Sequence, residues 1–175
     1  MIPIRLLVSV VIIGVVLLLT VCGYRSLQPT FATNQLQREC DTAVGALTSL
    51  ADGGVPRDVD DPLAPLGTRR VLSFEIPENC VYLSFGGDPD PQNNGALRPL
   101  LLGSGAVIVY RVEGASKQVI WCPGVSWGFR AGSVQGLRPG VTQESFLLQG
   151  GGSLRLAFEL VRQGDSRFVL VYRSD

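Results

Sequence analysis

The dominant pattern along the chain is an uninterrupted apolar run close to its N-terminus. From Leu6 to Tyr24 no residue carries a charge, with Arg5 before the run and Arg25 after it. As a helix rising about 1.5 Å per residue the run spans about 28 Å, close to the roughly 30 Å of bilayer hydrocarbon. It is apolar on every face, whereas a helix in a soluble core keeps a polar side. Residues 1–25 are therefore predicted to be a retained signal-anchor that crosses the membrane once. A cleaved signal peptide would be shorter and followed by a small-x-small site, which does not follow here. Leu19-Thr-Val-Cys22 offers a lipoprotein alternative with an unknown ligand, although Val21 stands where a small residue is usual. Within the helix, Cys22 serves as a small hydrophobe.

Ser26-Leu-Gln-Pro29 reads as a short polar break at which Pro29 interrupts or kinks the helix. A second helix follows, with Asn34 as its cap and Gln37 completing the capping box. Leu36, Cys40, Ala43, Val44, Leu47, Leu50 and Ala51 recur at steps of three and four, which makes one apolar stripe. Gly53-Gly54 ends the helix. This amphipathic unit and its linkers occupy residues 26–56, and its stripe has to pack on a sheet or against a partner helix.

Residues 57–67 are acidic and proline-rich and read as a loop. The period then changes to two. Leu72, Phe74 and Ile76 alternate with polar neighbours, as do Val81, Leu83 and Phe85 across the turn at Pro77–Asn79. Further strands are predicted at Ala106–Val112, Gln118–Trp121, Leu154–Leu160 and Phe168–Tyr172, with Arg155 and Glu159 on the polar face of the Leu154 strand. About eight strands with turn residues between them argue a mainly antiparallel β-sandwich or small barrel over residues 57–175, an all-β or α+β ectodomain.

Composition narrows the function. The chain has 175 residues, enough for one domain beside the anchor. Its 15 basic and 15 acidic residues balance, so no global field draws it to nucleic acid. Histidine is absent, which removes imidazole-based nucleophilic sites, zinc centres and proton shuttles. The short N-terminal side belongs inside the cell and the bulk outside, a placement that suits Cys40, Cys80 and Cys122 in an oxidising space.

Three groups invite chemistry. In Gly86–Gly95, Asp88, Asp90, Asn93 and Asn94 can converge on one hard cation such as calcium, or else serve turn geometry alone. Cys40, Cys80 and Cys122 are disulfide candidates; a bridge between Cys80 and Cys122, or from Cys40 to either, is open. Trp121 is assigned to the core, whereas Trp127, beside Phe129 and Arg130, is a candidate binding residue. Asp58, Asp60 and Asp61 form a solvated acidic loop, and Gly132–Gly140 is a glycine-rich loop without phosphate-loop spacing.

Arg57–Pro62, Gly67–Val71, Val81–Pro91 and Gly105–Gly114 resemble stretches of a group of uncharacterised archaeal single-pass membrane proteins. The layout is also similar to archaeal type IV pilin-like proteins and archaellum stator subunits. That resemblance implies an archaeal envelope location for a non-catalytic structural or assembly component. Its partners would be the membrane through residues 6–24 and envelope proteins or further copies, meeting the anchor and the Leu36–Leu50 stripe. A calcium-dependent binding or adhesion module is the alternative. No cofactor is implied apart from calcium.

Overall fold

The computed structural model describes residues 4–101, 105–122, 127–134 and 139–174. A single α-helix, α1 (Ile4–Gly53), runs through both helical segments without a break. The expected interruption at Ser26–Pro29 does not occur, and Asn34 lies within the helix rather than at its start. Pro29 has no N–H, so one helical bond is forfeited, at a cost of about 3 kcal/mol. Tertiary contact offsets this loss. The Pro29 ring lies against the turn at Gly114, where an added Cβ would come within 3.1 Å of Pro29 Cγ. One turn on, Thr33 Oγ1 donates to the Pro29 carbonyl at 2.7 Å.

The remainder is two layers of strand. One sheet has the order β1 (Arg57–Asp58), β9 (Gly152–Gln163), β10 (Ser166–Arg173), β6 (Gly128–Val134), β7 (Pro139–Val141), and β2 (Arg69–Ile76) also pairs with β9. This sheet curls into half a barrel. The second sheet has the order β5 (Gln118–Trp121), β4 (Val107–Val112), β3 (Cys80–Phe85), β8 (Phe146–Leu148). The arrangement is sandwich-like, and two pairings depart from the antiparallel rule. β1 runs parallel to β9, and β10 runs parallel to β6. The Gln163–Ser166 turn forces β10 antiparallel to β9, which leaves it parallel to β6 on its other side. β1 falls in the expected acidic loop. Residues 132–134 and 139–140 of the expected glycine-rich loop belong to β6 and β7, and residues 135–138 lie outside the described residues.

α1 lies along the strands. Gln35 Nε2 donates to the Glu75 carbonyl at one end of β2, and Gly54 lies beside Thr68 at the other. The domain therefore has a near end, at the turns around Pro77, Gly114 and Gly151, and a far end beside the helix terminus. At the far end lie Gly86, Trp121, Gly128 and the Gln163–Ser166 turn.

The core joins the helix to both layers. Leu36, Cys40, Ala43, Leu47 and Leu50 meet Phe74, Phe85, Ile108, Phe158 and Val169 in one buried cluster. The predicted stripe is thus consumed within the chain and is not free to meet a partner helix. Tyr110 donates its hydroxyl hydrogen to Gln37 Oε1 at 2.6 Å, which ties helix to sheet at a polar point. By contrast, Val8–Leu19 and Val21 are exposed along the helix, and this half has a window of mean hydropathy 2.2. α1 is long and apolar enough near its N-terminus to cross a membrane.

Candidate functional site

The Gly86–Leu101 loop covers the outer face of the four-stranded sheet, where Leu97 packs on Tyr82, Val107 and Val109. Gly86 starts it at φ 99°, and an added Cβ would lie 2.5 Å from the Phe129 carbonyl, so the close approach to β6 requires glycine. Asp90 is buried. Its Oδ1 accepts the Asn94 N–H at 2.8 Å and its Oδ2 accepts the Gly95 N–H at 3.0 Å. Asn93 adopts a left-handed φ of 53°, and the Asn94 side chain bonds within the loop to Gln92 and the Ala96 N–H.

The cation of this loop is a side chain of the protein. Lys117, next to β5, donates to Asp88 Oδ2 at 2.6 Å and to the Asp90 carbonyl at 3.0 Å. Arg111 Nη1 stands 3.7 Å from Asp90 Oδ2. Asp88 and Asp90 do come together, as expected of a cation site, but an ammonium occupies the point of convergence. Asn93 and Asn94 do not complete a ligand shell, because their geometry serves the turn. Among the described residues no group of three or more acidic or thiol side chains is spaced to hold a metal. Beneath the loop, Tyr82 Oη and Ser84 Oγ are buried on one face of β3 without hydrogen-bond partners. Burial, then the Asp88 and Asp90 charges, push the Tyr82 phenol up to about 12.

Trp121 does not occupy its expected place in the core. Trp121 is 65% exposed and Trp127 only 6%. β5 reads Gln-Val-Ile-Trp, and its apolar residues do not alternate cleanly, so periodicity could not fix which face is buried. In the structure Gln118 and Ile120 are the half-buried pair, while Val119 and Trp121 point outward on an edge strand. Trp127 packs edge-on against Phe129 with ring centroids 5.2 Å apart. Its indole N–H is buried and meets no acceptor.

Trp127 belongs to a cleft of about 260 Å³ at the far end, lined also by Leu100, Phe129, Phe168 and the Gln143–Ser145 segment. Arg130 and Arg167 also line it. The Arg130 guanidinium lies 3.8 Å over the Phe168 ring, and its Nη1 donates to Gln163 Oε1 at 3.3 Å. Partial burial lowers the pKa of Arg130.

The three disulfide candidates are free thiols. All three face the main core, yet Cys80 pairs across from Val112 at one end of β4, whereas the Cys122 N–H bonds to Ala106 at the other. Six residues of strand separate those ends by about 20 Å, far beyond the roughly 4.4–6.8 Å between Cα atoms of a bridge. Both cysteines open or close strands of the same sheet, so no bridge across the sheets forms. Burial pushes the Cys80 and Cys122 thiols up to about 11. Cys40 is raised further still, by burial first and then by the charge of Asp41.

Glu159, expected on a polar face, is in fact buried. Its carboxylate receives Arg57 Nε at 2.7 Å and Nη2 at 3.3 Å, and the Gly67 N–H at 3.2 Å. Arg57 Nη2 also donates to the Pro139 carbonyl at 3.0 Å, so the pair ties β1 and β7 to the two flanks of their sheet. The acidic loop's Asp58 pairs with Arg162 at 2.6 Å, and a Gly164 N–H reaches Asp60. Comparison with known proteins finds no similar family model, curated protein or solved structure.

Proposed function

We propose that the chain is a non-catalytic, membrane-anchored component of a cell envelope, with its β-sandwich outside the cytoplasm and a structural or assembly role in the manner of an archaeal pilin-like subunit. The division of α1 into two unlike halves carries this reading. Its N-terminal half exposes apolar side chains all round, and its C-terminal half is sunk into the core of the domain. An exposed apolar surface of that size would drive aggregation in water and is satisfied by lipid or by neighbouring apolar helices. With the Leu36–Leu50 stripe already buried, lateral association falls to the exposed half of α1 and to the outer surface of the domain.

Binding is favoured over catalysis because the chain has no imidazole and the carboxylates of Asp88, Asp90 and Glu159 are engaged with lysine, arginine and backbone N–H groups. Calcium-dependent adhesion is disfavoured by Lys117, whose ammonium already neutralises Asp88.

The test uses the full chain with a C-terminal tag. An alkaline carbonate wash should leave it in the membrane pellet, and protease added to intact cells should remove the tag. Release by the wash would refute the anchor, and a tag protected until the membrane is opened would reverse the orientation.

A further inference from the structure

The near end of the domain stands too close to the apolar run to be clear of a membrane. α1 is unbroken, so height along it is counted in residues. Pro29, whose ring meets the Gly114 turn, follows Tyr24 by five residues, about 7.5 Å of helix rise. The Glu113 N–H donates to the Asn79 carbonyl at 2.8 Å, so the Pro77–Asn79 turn lies level with the Gly114 turn. Outside its hydrocarbon a bilayer carries about 5–8 Å of headgroup on each side, which is the height of both turns. The helix surface agrees. Tyr24, Leu27 and Phe31 recur at steps of three and four on one face and are each more than half exposed, whereas Ala32 and Leu36 turn into the core. Apolar exposure thus continues past the uncharged run to the level of the turns, the band in which aromatic rings settle at a bilayer surface. Between helix and turn lies an open recess of about 330 Å³, lined by Thr30, Thr33, Asn34 and Ser116 and by no charged residue.

We propose that the near end of the domain is a lipid-contact surface, with Leu27 and Phe31 among the headgroups and the Gly114 and Pro77 turns resting on them. The strands, which run along α1, then stand upright on the membrane. The headgroups this surface fits are uncharged or zwitterionic. Its turns carry Glu78 and Glu113, both exposed and without a cation within 4 Å among the described residues, and no basic residue, so anionic lipid is repelled. The hydroxyl and amide groups of the recess suit hydrogen bonding to such headgroups. The proposal rests on the anchored reading, which supplies the bilayer that this surface meets.

The test uses the full chain in vesicles of zwitterionic lipid, with Cys22→Ala and one fluorescent label on an introduced cysteine, the buried native thiols staying unlabelled. Labels go to Ser116→Cys at the near end, Asp165→Cys at the far end and Val15→Cys in the apolar run, all exposed positions. Lipid with a nitroxide on its headgroup should quench the Ser116→Cys label by about half or more and leave the Asp165→Cys label, about 35 Å higher, unchanged. Lipid with a nitroxide in its acyl chain should quench the Val15→Cys label in the same vesicles. An unquenched Ser116→Cys label beside a quenched Val15→Cys label would mean that the domain is held off the surface, which overturns the proposal and leaves the anchor intact. Equal quenching of the Asp165→Cys label would mean that the domain lies on its side, and overturns it as well. An unquenched Val15→Cys label would refute the anchored reading itself. Exchanging about half of the lipid for an anionic one should weaken quenching at Ser116→Cys, and Glu78→Gln with Glu113→Gln should remove that weakening. Stronger quenching in anionic lipid would overturn the choice of headgroup.

Discussion

Removing one partner of the buried Arg57–Glu159 pair should cost much more than removing both. The two side chains are 7% and 1% exposed, and their bidentate contacts are 2.7 and 3.3 Å long. Glu159→Leu leaves a guanidinium buried without its counter-charge and the Gly67 N–H without its acceptor. Breaking such a pair costs about 3–5 kcal/mol, which for a domain of this size lowers the unfolding midpoint by about 6–20 °C. Arg57→Met with Glu159→Leu removes both charges and leaves only two backbone groups, at Pro139 and Gly67, to find new partners. The double variant should therefore recover at least half of the single variant's loss, a coupling read directly from a double-mutant cycle. The assay is thermal unfolding followed by the fluorescence of Trp127, which sits between the sheets, in the Trp121→Phe background. A shift below about 2 °C for Glu159→Leu, or a double variant less stable than either single, would refute the argument that the pair is desolvated and mutually dependent.

Two further outcomes follow from the same contacts. Lys117→Met removes the ammonium 2.6 Å from Asp88, so the variant should lose stability and regain it with millimolar calcium, while the parent's midpoint ignores calcium; a calcium shift in the parent would restore the cation-site reading of the loop. The buried thiols make folding sensitive to alkali: Cys80 and Cys122 are raised from 9.0 to about 11, so their contribution is complete below about pH 9 and is lost as pH climbs through 11. Urea midpoints should hold level from pH 7 to 8.5 and fall above 9, and Cys80→Val with Cys122→Val should flatten that fall; an unchanged slope would contradict it.

What the sequence made legible was set by length and period. Nineteen uncharged residues admit few structures, and the Leu36–Leu50 stripe and the alternation of β2 each specify one buried face, whereas β3, β9 and β10 are buried on both. What stayed hidden depended on partners distant in the chain. Pro29 reads as a breaker until the Gly114 turn lies against its ring. Glu159 reads as solvent-facing until Arg57 covers it, and Asp88 reads as a metal ligand until Lys117 fills the site. β1 and β7 are two and three residues long, too short to show a period at all. Trp121 reads as a core residue because the apolar residues of β5 fall on both of its faces and leave the register undetermined.

The unbroken helix gives the anchored reading its most demanding consequence. A hinge at residues 26–29 would let the domain swivel, whereas α1 as one helix fixes the rotation of the domain relative to the exposed half of the anchor. If assembly uses a face of the anchor together with a face of the domain, inserted alanines after Leu27 should act by phase as well as by length. One residue turns the anchor by about 100° and adds about 1.5 Å, while seven residues return it to within about 20° and add about 10 Å. The seven-residue insertion should therefore retain more self-association than the one-residue insertion, measured by in-cell crosslinking at matched expression. Equal association by both, or a loss that simply grows with length, would mean that the anchor and the domain are not used as one rigid surface.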